Sequence, residues 1–150
     1  TAYTQPVEAL AREVGVTIKK YYVSKPEDVT AALELIGKEK FVALHSDSSG
    51  PLATRAAEIL AFAASNKLFD YYIGARLVLR GGLMSYAPRL SDNARRAAEI
   101  VDKILRGAKP AEVPFEYPKH YDLVINLKSA RERGITIPQS ILLRATQVIE

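Results

Sequence analysis

The chain has no cysteine, and that absence excludes disulfides, cysteine metal sites and a thiol nucleophile together. Only two histidines occur, His45 and His120, so a histidine-rich metal centre has no material to form from. No apolar run approaches the roughly 18 residues that a membrane-spanning helix needs. No GxGxxG follows any β-prone segment, no glycine-rich loop ends in Lys-Ser or Lys-Thr, and no GxSxG elbow occurs. Nucleotide binding and serine hydrolysis therefore lack their usual signatures. His45, Asp47 and Ser48 offer the residue types of a triad, but neighbours at one strand end cannot adopt nucleophile, base and orienter geometry. Basic residues outnumber acidic ones by 21 to 17, giving a net charge of +4. They are scattered singly or in pairs such as Lys19-Lys20 and Arg95-Arg96, the pattern of a solvated surface and not of a nucleic-acid footprint. The first residues hold no basic-then-apolar leader, so localisation cannot be read from them.

What is present is a regular alternation. With 150 residues, 48% of them hydrophobic, the chain has the size and composition of one soluble globular domain. Thr4 with Pro6 opens a helix whose apolar positions are Val7, Leu10, Ala11 and Val14, and Gly15 stops it. VTIKKYYV (16–23) is rich in β-branched and aromatic residues and reads as a strand. Ser24-Lys25-Pro26-Glu27 then reads as a capping box for a second helix carrying Val29, Ala32, Leu33 and Ile36 and ending at Gly37. FVALH (41–45) is a continuous apolar run of the kind a strand buried on both faces shows. The polar loop SDSSGP follows, then a helix over 52–65 with Ile59, Leu60 and Ala63 inward, and then a strand, FDYYI (69–73).

After Gly74 comes a short helical or irregular piece, 75–80, and a β-prone segment, 83–86, that ends in a turn-like Ala87-Pro88. A helix capped by Ser91 and stopped by Gly107 carries the stripe Ala97, Ile100, Val101, Ile104 and Leu105. Pro110, Pro114 and Pro118 keep the next segment extended. YDLVINL (121–127) reads as one more buried strand, before short helical turns around Arg131 and Leu142. Strands alternating with helices predict an α/β fold with a parallel sheet flanked by helices on both faces. Ligands of such sheets bind outside the carboxyl ends of the strands. That places Ser46, Asp47, Ser48, Gly74, Ser85 and Tyr86 on one expected concave surface. The loop serines and Asp47 read equally well as helix-capping residues, and Tyr86 equally well as core beneath the corner.

GGLMSYAP, RRAAEIVDKILRGAKPAEVPFEYP, YDLVINLKSARERGITIP and SILLRATQVIE together resemble the C-terminal half of a family of ABC-transporter substrate-binding proteins. The resemblance implies one lobe of a type I periplasmic-binding-protein fold, with ligand enclosed between two lobes. It implies residues 1–86 as the second-lobe βαβ core and 87–118 as hinge crossings plus a helix resting on the first lobe. Residues 119–150 would then be the return strand and C-terminal helices. Where relatives carry an Asp-Pro-rich loop after the FVALH-like strand, this chain has Ser46-Asp47-Ser48-Ser49. The expectations that follow are a small organic ligand, aromatic amino acids among the candidates, and a transporter permease as partner. A periplasmic or otherwise extracytoplasmic location follows too, as does a first lobe or a second copy of the chain against the 92–106 helix. No cofactor, no metal, no nucleic acid and no catalysis are expected. A ligand-sensing module of a signalling protein, or a flavodoxin-like cofactor domain using SDSSG for phosphate, would share the fold.

Overall fold

The computed structural model describes residues 4–47 and 50–150. Five strands form one sheet in the order β1 (Ala43–Ser46), β2 (Phe69–Tyr72), β3 (Met84–Pro88), β4 (Tyr121–Asn126) and β5 (Gln147–Ile149). The pairs β1–β2, β2–β3 and β4–β5 are parallel, whereas β3–β4 is antiparallel. The expected parallel sheet is thus mostly parallel, with one reversal where β4 comes back beside β3. The helices are α1 (Thr4–Glu13), α2 (Asp28–Gly37), α3 (Gly50–Thr54), α4 (Ala56–Ser65) and α5 (Ala75–Val78). They continue as α6 (Leu90–Leu105), α7 (Leu127–Arg133) and α8 (Gln139–Leu142).

Two apolar clusters sandwich the sheet. On one face α2 and α4 bring Val29, Leu33, Ile36, Ile59 and Leu60 against Tyr72 and Val124. On the other, Ala130 and Ile137 from the α7 region pack with Leu83 and Ile125. The two layers exist because strand side chains alternate and the helices that pack on the sheet, such as α2 and α4, bury one stripe each.

Several local expectations need correction. Residues 16–23 form no strand and enter no ladder, and among the described residues none of their backbone groups from 17 to 23 has a backbone partner. Tyr21 and Val23 still pack on the first cluster, Tyr21 meeting Phe41 edge-on with ring centroids 6.3 Å apart. The FVALH strand begins at Ala43, and it is not buried on both faces: Val42 is 85% exposed, because β1 is the outermost strand of the described sheet. The expected capping box is replaced by Asp28, whose carboxylate accepts from the amides of Ser24 and Lys25. The 52–65 helix is broken at Arg55 into α3 and α4. Ala87-Pro88 is no turn but the continuation of β3, paired with Asp122 and Tyr121. A proline is tolerated there because it ends the strand. Helix α6 is entered at Arg89, without a side-chain cap from Ser91. SILLRATQVIE holds a fifth strand that its apolar run concealed.

Helix α6 buries no residue at all, and Leu90, Val101 and Leu105 stand in water with the neighbouring Phe115 and Tyr117. With residues 106–120 it forms an arm that leaves the sheet after β3 and returns at β4.

Candidate functional site

Because β1, β2 and β3 run parallel, their carboxyl ends meet at one edge, where Ser46, Tyr72 and Ser85 lie in one register row. One residue further come Asp47, Ile73 and Tyr86, and then Gly74, at φ +94°, where β2 gives way to α5. That positive φ is strained for any residue with a Cβ, so glycine is needed at this exit. Asp47, Gly74 and Tyr86 therefore gather at one sheet edge, but the pleat divides the set between two faces. Ser46 and Ser85 share the face of buried Tyr72, and Ser85 is only 1% exposed. Tyr86, adjacent to Ser85, faces the opposite way and is 47% exposed. The Ser46 hydroxyl donates to the Asp47 carbonyl at 3.1 Å, and Asp47 is exposed. Ser48 lies outside the described residues.

On Tyr86's face the register aligns further rings. His45 pairs with Tyr71 across β1–β2, with centroids 5.0 Å apart and His45 Nδ1 3.1 Å from the Tyr71 carbonyl. The Tyr71 hydroxyl donates to the Tyr86 carbonyl at 2.8 Å. Tyr86 in turn stacks on Tyr121 of β4, with centroids 5.2 Å apart and planes 20° from parallel. Sequence reasoning reached Tyr86 but not Tyr71 or Tyr121 as its companions. The available signal was β-alternation, since Tyr71 and Tyr86 project from the same pleat face once the register is known.

The base of the arm is pinned by charge. Arg89 donates through Nε and Nη2 to one Asp122 oxygen, at 3.0 and 2.9 Å, and His120 Nδ1 lies 2.8 Å from Asp92. Arg96 pairs with Glu116 and Glu99. The Arg96 guanidinium holds the Glu116 carboxyl below the usual glutamate range. The Asp122 carboxylate raises the pKa of Arg89 in the same manner.

Below the edge sits a buried ion pair that sequence reading missed, Arg133 Nη1 to Asp70 Oδ1 at 2.6 Å. Asp70 also accepts from the Leu83 amide and the Tyr72 hydroxyl, and Arg133 donates to the carbonyls of Leu68 and Gly81. Burial first, and the Asp70 carboxylate second, push the Tyr72 phenol well above the ordinary tyrosine range. An aspartate inside FDYYI was the available clue, because a charge in a buried strand requires a partner.

Two cavities of about 300 and 360 Å³ lie along α2 and α4, sharing Gly37 and Phe62. Neither contains a predicted site residue. Among the described residues no cluster of three or more acidic, histidine or cysteine side chains could hold a metal ion, and no helix is long and apolar enough to cross a membrane.

A mostly parallel sheet under helices thus carries exposed polar and aromatic groups at its carboxyl edge, the place where ligands of such sheets bind. A sequence profile described as ABC transporter substrate binding protein matches residues 3–149, so the chain belongs to that family. It is similar to a conserved domain protein from Vibrio cholerae, with 25% identity and a TM-score of 0.87 over 98% of this chain and 49% of that one. It is also similar to an ABC domain from Streptococcus pneumoniae solved in complex with L-Trp, with 28% identity and a TM-score of 0.87 over 99% of this chain and 51% of that one. A ligand-free, open substrate-binding protein with adhesive properties from Clostridium difficile shares the fold, at 17% identity and a TM-score of 0.70 over 99% and 49% of the two chains. The chain spans about half the length of these structures. No curated protein matches the sequence.

Proposed function

We propose that this chain is the C-terminal lobe of the solute-binding component of an ABC import system. It closes with a first lobe over a small organic ligand and carries out no chemistry itself. The observation that carries the reading is the aromatic edge around Tyr86, at the carboxyl ends of parallel strands in a family of substrate-binding proteins. The likeness to a domain bound to L-Trp supports an aromatic amino acid as the ligand class. The ligand's ring would rest on the Tyr86 side of the edge, and its polar end would meet the loop that begins at Ser46 and Asp47, with Ser48 next in sequence. Gly74 would let the backbone approach closely, while Ser85 supports the edge from its buried face.

The arm formed by α6 and the Phe115–Tyr117 stretch would rest on the first lobe, which explains an amphipathic helix with no buried residue. A second copy of this chain is the rival occupant. In the complete system the partner is the transporter permease, and the setting is extracytoplasmic. Closure needs only that ligand bind the closed state better than the open one.

The test is a thermal-shift panel of natural amino acids on the full-length protein, followed by small-angle scattering with any stabilising compound. Aromatic amino acids are expected to raise Tm and to reduce the radius of gyration. Stabilisation by nucleotides or flavin, with no response to amino acids, would contradict the reading.

A further inference from the structure

The ligand reading rests on one exposed tyrosine, yet the geometry surrounds it with others. His45, Tyr71, Tyr86 and Tyr121 project from one face of four successive strands, linked by two ring contacts and two hydrogen bonds. None of the four belongs to either apolar cluster. Tyr121 is 41% exposed, close to Tyr86, so the pair is not covered by this chain. Half-exposed rings held in fixed contact contribute little to a core, whereas a held ring is well suited to stacking on another planar group.

We propose that Tyr121 and Tyr71 are specificity-determining residues of the same site, making Tyr86 part of an aromatic wall that selects planar aromatic solutes over aliphatic ones. The proposal rests on the solute-binding reading above. Tyr121 does its part by stacking. A parallel neighbour restrains rotation of the Tyr86 ring, so less side-chain entropy is lost when ligand arrives. Because Tyr121 opens β4, the strand that returns from the arm, the wall is assembled from both strands at the base of that arm. Tyr71 acts through the backbone: its hydroxyl on the Tyr86 carbonyl fixes the height at which β3 presents the ring. Both are positioning residues for Tyr86.

The test uses the full-length protein, with L-tryptophan and L-leucine as calorimetric probes. Stacking needs a ring and not a hydroxyl, so Tyr121→Phe is expected to keep the L-tryptophan affinity. Tyr121→Leu is expected to weaken it by roughly three- to tenfold with Tm unchanged, the range of an aromatic pair. The tryptophan-over-leucine preference should fall by the same factor. Tyr71→Phe, which removes only the bond to the Tyr86 carbonyl, should give a smaller loss in the same direction. If Tyr121→Leu leaves affinity unchanged while Tyr86→Ala weakens it, the wall is wrong and the site stands. If Tyr121→Leu weakens both probes equally or lowers Tm, the residue is merely structural and the proposal is overturned. If neither Tyr86→Ala nor Tyr121→Leu matters, the site itself falls, and the wall with it.

Discussion

Gly82 shows how tightly single residues are fixed beneath the edge. A Cβ there would lie 2.6 Å from the Tyr72 ring and 3.0 Å from the Leu77 carbonyl. The ring cannot easily yield, because its hydroxyl is tied to Asp70 at 2.7 Å. Gly82→Ala is therefore expected to destabilise the lobe by about 1 to 3 kcal/mol through overpacking, read from a urea midpoint with unchanged slope. Arg133→Leu strands the Asp70 carboxylate in the interior and should cost about 3 to 5 kcal/mol. Adding Asp70→Asn to it should restore part of that loss, a coupling that a double-mutant cycle measures. Tyr72 gives a pH test. Its pKa is raised in the fold, so its contribution is full below the ordinary tyrosine value of about 10 and is lost as pH rises beyond it. In an ultraviolet titration, one phenol should ionise only when the chain unfolds.

Among the elements, the arm and the N-terminal segment differ most from ordinary core pieces. Glu116 has a depressed pKa because it accepts from Arg96. Its contribution is present above the unfolded glutamate value, about 4.3, and is lost as pH falls below it through the folded value. The contacts between α6 and the 113–120 segment should thus loosen in acid before the sheet does. Hydrogen exchange at pH 3.5 against pH 7 reads this, and simultaneous loss of arm and sheet protection would contradict it.

How far such elements were legible depends on where their partners lie. Helices α2 and α4 were visible because each buries its own stripe, Val29, Leu33 and Ile36 in one and Ile59, Leu60 and Ala63 in the other. Residues 16–23 carried a strand signal in β-branched and aromatic residues, but a ladder is a property of two strands and no described partner meets this one. The three-residue β5 was masked by the helical pattern of the Leu142 region, and the β3–β4 reversal is set by the arm's path, which no local periodicity records. Strand-end logic put Ser46, Asp47, Gly74, Ser85 and Tyr86 at the carboxyl ends of the strands, where the structure has them. It could not assign faces, which needed the register that buries Ser85 and exposes Tyr86.

At the scale of the whole molecule, the chain is a sheet between two apolar clusters with an exposed arm. The family match runs from residue 3 to 149, yet the matched structures are about twice as long, and the aromatic edge and the apolar arm both end at exposed surface. In the solute-binding reading proposed above, a first lobe resting on α6 would also complete a cleft above Tyr86. The most direct measurement is the calorimetric affinity of the full-length protein for L-tryptophan, compared with that of Tyr86→Ala. The account predicts saturable binding that weakens by about 1 to 3 kcal/mol in the variant, roughly five- to 150-fold in Kd. Equal affinities for the two proteins would contradict the placement of ligand at the Tyr86 edge.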